Sequence, residues 1–186
     1  MSRVIHVFRQ PERFVAGTVG EPGQRSFYLQ AAERSRTVSV LLEKQQVSVL
    51  AERISALLAE IARRFGVEED VPEADLDPLA LPLEEEFRVG TMGLGWDAES
   101  KSIVVELLAV TDEEVDESVV LDDTEEGPDA LRVFLTPMQA RAFADRAERV
   151  VQAGRPPCPL CAEPLDATGH VCVRLNGYRQ RVTAAE

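Results

Sequence analysis

Cys158, Cys161, His170 and Cys172 follow one another as Cys-x-x-Cys, eight residues, His-x-Cys, and they take up all three cysteines and one of the two histidines of a 186-residue chain. Three thiolates and an imidazole are the donor set of a closed, tetrahedral structural Zn²⁺ site, in which no coordination position is left for water or substrate. Pro159 fixes one dihedral between the first two ligands, Pro156 and Pro157 stiffen the approach, and Asp166, Thr168 and Gly169 supply a second turn. His170 and Cys172, two apart in an extended segment, then share one face. Two other readings stand beside zinc: a redox Cys-x-x-Cys pair, which normally opens a helix after a buried strand, and three buried reduced cysteines. A closed metal site shapes a surface, and the eight residues 174–181 furnish one. Arg174, Asn176, Tyr178, Arg179 and Arg181 place three cations, an aromatic ring and an Asn-Gly turn beside the knuckle, a set suited to an acidic protein face, a phosphorylated partner or nucleic acid. The same cations suit the chain's own acidic segments equally well.

These residues need a scaffold, and the composition supplies one. A hydrophobic content of 45% is that of a globular protein, and no apolar run approaches the roughly 18 residues of a membrane span. The opening MSRVIHVFRQ breaks its apolar residues with Arg3, His6 and Arg9, so it reads as a strand rather than a signal peptide. Cysteines grouped as ligands fit a reducing compartment, and a cytoplasmic location is expected. The net charge of -13 is unevenly distributed: +4 over residues 1–67, -20 over 68–129 and +3 over 130–186. The acidic clusters at 68–77, 84–86, 112–117 and 122–126 read as solvated loops, with an acidic docking surface as the alternative. Net acidity also weighs against nonspecific binding to DNA, whose affinity comes from phosphate neutralisation.

Two stretches of the chain run in parallel. RFVAGTVG, RSFYLQA and RTVSVLLEK alternate like strands and lead into an amphipathic helix over 45–64; EFRVGTMGLGW, SIVVELLAV and ALRVFLTP lead into a second over 138–152. The first helix carries Val47, Leu50, Ile54, Leu57, Leu58, Ile61 and Phe65 on one face and stops at Gly66; the second has Thr136 as N-cap and Pro137 as first residue. Gly17-Thr18-Val19-Gly20 answers Gly90-Thr91-Met92-Gly93, and Gln46 answers Gln139. The expected fold is therefore α+β: duplicated β-β-β-α units (about 1–67 and 84–154, joined by an acidic, Pro-containing linker at 68–83) forming an antiparallel sheet covered by two helices, with a zinc-binding appendage over 155–186. A strand at residues 4–8 precedes the first unit. The segment at 112–129 is too long for a tight hairpin, and residues 118–121 are expected to form a short extra strand. The glycine runs lack the Gly-Lys-Ser/Thr of a phosphate loop and read as turns or bulges; His6 and Trp96 read as structural.

With RFVAGTVGEPGQRSFYLQA, the LLEKQQ junction and CPLC...GHVCVRLNGYR in view, the chain resembles an uncharacterised actinobacterial protein family over nearly its whole length. The resemblance implies, by gene neighbourhood, company with a kinase-like protein similar to phosphatidylinositol kinases and with a histidine-phosphatase-like protein, and transfers no catalytic residue. No serine, cysteine or lysine stands in a recognisable nucleophile setting. The reading is a zinc-containing, non-catalytic adaptor or regulatory binding protein with a protein partner; binding of nucleic acid or the transcription machinery through the appendage is the alternative, and a cryptic enzyme the third.

Overall fold

A computed structural model describes residues 3–66, 71–112, 123–124, 126–154, 158–161, 165, 170, 172 and 174. Its elements run β1 (Ile5–Phe8), β2 (Arg13–Val19), β3 (Ser26–Glu33), β4 (Arg36–Leu42), α1 (Lys44–Phe65), β5 (Glu85–Asp97), β6 (Ser102–Ala109), β7 (Ala130–Leu135) and α2 (Pro137–Gln152). The strands form one seven-stranded sheet in the order β1-β7-β6-β5-β4-β3-β2, so the fold is α+β with two helices. The expected extra strand at 118–121 lies outside the described residues.

The sheet is mixed, which corrects the antiparallel expectation. β1 runs parallel to β7 and β4 parallel to β5. The second pairing has a plain cause: α1 and the segment to residue 84 carry the chain back to the start of the sheet, and such a crossover returns a strand parallel to its predecessor. The three-strand runs β2-β3-β4 and β5-β6-β7 are each antiparallel; short turns join β3 to β4 and β5 to β6, whereas β6 and β7 pair across the long connection 110–129.

The sheet also curls. β1 and β2 stand at opposite ends of the strand order, yet only residues 9–12 join them, a reach of about 18 Å. A flat sheet of seven strands would be about 29 Å across. The two ends accordingly meet: Glu12 N–H donates to Ala32 O at 2.8 Å, Gln10 N–H to Glu33 Oε1 at 2.7 Å, and the Arg36 guanidinium donates to Val7 O while lying over the Phe8 ring.

Inside the curl lies the core. Phe14, Leu29 and Val40 from one run of strands and Ile103, Val105, Leu107, Leu131 and Val133 from the other meet the buried stripes of both helices, with Phe14 and Phe143 ring centroids 4.6 Å apart. Both helices open with a capping box whose N3 residue is glutamine, Gln46 in α1 and Gln139 in α2. Each glutamine also reaches across to a backbone carbonyl, Gln46 Nε2 to Val89 O at 3.0 Å and Gln139 Nε2 to Pro11 O at 2.7 Å. α1 ends on left-handed Gly66, as its sequence pattern requires.

The outer face is not solvated in the usual way. Seven consecutive residues of β6, from Ser102 to Leu108, are buried, so both faces of that strand are covered. On this outer face two buried polar pairs sit directly across neighbouring strands: Gln30 with Ser39 (β3/β4) and Glu106 with Arg132 (β6/β7). Each pair reaches into an irregular acidic segment. Gln30 Nε2 donates to Ala80 O and its Oε1 accepts from Ala80 N–H at 2.9 and 2.8 Å, while Arg132 bonds Glu106 Oε1 at 2.9 Å and also Asp123.

The segment from residue 71 to 83 has no regular structure but is firmly attached. A Cβ on Gly17 would lie 2.5 Å from Leu79 Cγ, so the close seating of Leu79 on β2 depends on that glycine. Arg146 of α2, buried, donates to Ala16 O, Asp75 Oδ1 and Asp77 O at 2.7 Å each, and Arg13 grips the Asp75 carboxylate at 2.7 and 3.0 Å.

The two glycine runs do not occupy matching places. Gly17 is two residues from the end of β2, whereas Gly90 sits at the register irregularity between Val89 and Thr91, with most of β5 still to come. A Cβ at Gly90 would stand 2.9 Å from Val110 Cα, which explains that glycine locally. Gly20, with φ +100°, serves the turn after β2.

Candidate metal centre

The metal candidates follow α2. Cys158 opens a turn over residues 159–161, and its Sγ accepts backbone N–H bonds from Leu160 and Cys161. Those donors, Leu160 first, hold the Cys158 thiol below its ordinary range against the opposing effect of burial, because an N–H aimed at sulfur favours thiolate. Here the Cys-x-x-Cys spacing has its physical meaning: Pro159 and Leu160 turn the chain so that the N–H groups of Leu160 and Cys161 point at the first sulfur.

Cys158 and Cys172 are buried, with their sulfurs 4.0 Å apart; Cys161 Sγ and His170 Nε2 are 3.1 Å apart. All four ligand atoms lie within 4.8 Å of one another. A disulfide needs about 2.05 Å between sulfurs, and none of the three cysteines is in one. Two sulfurs on a tetrahedral zinc stand about 3.8 Å apart, given bonds of about 2.3 Å. The cluster could therefore hold a metal ion, by both donor type and spacing. His170 Nδ1 is buried without a hydrogen-bond partner among the described residues, while the other ring nitrogen faces the sulfurs.

Of the proposed contact residues, Arg174 is described and exposed; Asn176, Tyr178, Arg179 and Arg181 lie outside the described residues. His6 is half-buried in β1 with Nε2 3.8 Å from Glu86 Oε2, a partner far away in sequence. Trp96 packs against the core and stacks on Phe65, ring centroids 6.1 Å apart.

Sequence reasoning overlooked the buried charges. Glu106 is fully buried, Arg132 and Arg146 nearly so. Burial acts against the Arg132 charge, but its hydrogen bonds to Asp123 and Glu106 prevail and raise its pKa; for Arg146 burial is the larger influence and the pKa falls. A signal was available: Glu106 interrupts the apolar run SIVVELLAV and Arg132 the run ALRVFL, and a lone charge within such a strand must find a partner across it.

Among the described residues no helix is long and apolar enough to cross a membrane. No curated protein and no solved structure matches the chain. A family model does: residues 6–172, from β1 through the last of the four candidate ligands, match the model described as a protein of unknown function (DUF3090), and the chain belongs to that family.

Proposed function

We propose that the protein is a zinc-containing adaptor or regulatory binding protein, in which Cys158, Cys161, His170 and Cys172 hold a structural Zn²⁺ that stiffens a contact surface. The observation that carries this reading is the convergence of three thiol sulfurs and one imidazole nitrogen within 4.8 Å. Soft thiolate with imidazole, in a four-ligand set that leaves no open position, favours zinc in a shaping role over a metal that activates water. The four residues do the holding; beyond that, the ion supplies a fixed point from which Arg174 and the tail to Arg181 project at less ordering cost than a free tail would pay. The partner chemistry this surface fits is acidic or phosphorylated protein, and the kinase-like neighbour that the family resemblance implies is the first partner to try. Binding of nucleic acid through the same appendage stays the alternative, with the net charge of -13 against it.

The proposal extends to architecture. The matching capping boxes, the matching glutamine bridges and the two outer-face polar pairs support an origin of residues 1–154 in duplicated β-β-β-α units, with 155–186 as a separate appendage. Metal analysis tests the central claim. Protein purified without chelator should carry one zinc per chain, and the Cys158→Ser/Cys161→Ser variant should lose it; less than about half an equivalent in the wild type, or unchanged content in the variant, would overturn the assignment. Capture experiments with wild type and the Arg174→Ala/Arg179→Ala/Arg181→Ala variant, at low and high salt, test the surface.

A further inference from the structure

Arg25 and Lys44 converge on one cleft of about 210 Å³, lined by Gly23, Phe27 and Gly154 as well. The point where a Cβ on Gly154 would stand is 3.2 Å from Lys44 Nζ and 3.5 Å from Arg25 Nη2, so the two cations are within roughly 7 Å of each other, a range at which like charges repel appreciably. Neither makes a hydrogen bond or ion pair with any described residue; Arg25 has only the Phe27 ring, 5.7 Å from its guanidinium carbon. Their convergence is notable in a chain with 33 acidic and 20 basic residues, where most buried or half-buried arginines of the core have taken a carboxylate.

We propose that this cleft is an anion site for a phosphate dianion, either inorganic phosphate or a small phosphate monoester. Two cations with no counter-charge among the described residues call for a ligand of charge near -2. A guanidinium fork beside a mobile ammonium suits three phosphate oxygens better than one carboxylate. Glycine on both sides, Gly23 with φ +97° in the turn after β2 and Gly154 after α2, leaves the room that side chains would fill. The site draws on none of the metal ligands and stands whether or not the zinc reading does.

Titration of the full-length protein with inorganic phosphate and with phosphoserine, followed by amide chemical shifts and calorimetry against chloride at matched ionic strength, tests it. Saturable shifts are expected at Gly23, Lys44 and Gly154, with binding weakened at least tenfold in Arg25→Ala and in Lys44→Ala and unchanged in Arg53→Ala, an exposed cation elsewhere on α1. Binding of both probes identifies the phosphate group as what is read; binding of inorganic phosphate alone restricts the site to the free anion. No saturable response to either probe, a response that chloride reproduces, or equal binding by all three variants would overturn the proposal. Circular dichroism of each variant separates loss of the site from loss of fold.

Discussion

Glu106 and Arg132 show what a single buried charge demands. Taking a carboxylate and a guanidinium out of water costs several kcal/mol per ion, and the pair tolerates it because the partners lie directly across neighbouring strands with Nη2–Oε1 and Nε–Oε1 at 2.7 and 2.9 Å. Glu106→Ala should destabilise the protein by about 3 kcal/mol in urea unfolding, since it takes from a buried guanidinium its one fully buried counter-charge among the described residues and leaves it the largely exposed Asp123. The double substitution Glu106→Leu/Arg132→Met should recover most of that loss, because neither charge then remains to be solvated. A single-variant loss below about 0.5 kcal/mol would mean that Asp123, itself largely exposed, satisfies Arg132 alone. The four residues that could hold a metal were legible at this scale because their spacing is local; Glu106 was visible as an oddity whose partner lies 26 residues away.

At the scale of elements, the acidic segment over 71–83 is the main departure from expectation. Its prolines and charges read as a solvated linker, and it has no regular structure, yet Asp75, Asp77, Leu79 and Ala80 all bind the strands or α2. Arg13, by hydrogen bond and then by charge, holds the Asp75 carboxyl below the ordinary aspartate range, against the opposing pull of burial; Arg146 adds to the effect. A carboxylate with a depressed folded-state pKa stabilises the fold above its unfolded pKa and loses that contribution as pH falls through the folded value. Asp75→Asn should therefore cost about 1–3 kcal/mol at neutral pH, through the partners it withdraws from Arg13 and Arg146. The gap from wild type should hold down to about pH 4 and close below it. A gap that closes already between pH 7 and 5 would show that this carboxylate is not the clamp. Helix boundaries, by contrast, followed from sequence, since Thr136, Pro137 and Gly66 act within one turn of themselves.

For the molecule as a whole, one continuous core inside a curled sheet joins both strand runs and both helices, and every residue of that core precedes Gly154. On the proposed boundary near residue 154, chelation should disorder roughly residues 155–182 and leave the core's amide protection and near-ultraviolet circular dichroism in place. Hydrogen exchange with and without chelator measures this directly. Cooperative loss of protection in α2 and β2 together with the appendage would place the metal centre inside the core's folding unit.

From the sequence alone came the α+β class, the two capped helices, the apolar strands and the Cys/His cluster that could hold a metal, because each rests on periodicity, capping or ligand spacing within about twenty residues. Tertiary structure decided the rest. Only the pairing of strands could make β4 and β5 parallel, bring β1 against the β3–β4 hairpin across the ends of the sheet, separate the two glycine runs that looked alike, and set Glu106 opposite Arg132. Such pairings depend on where distant segments find their hydrogen bonds and counter-charges, and a one-dimensional pattern carries the need for a partner without its address.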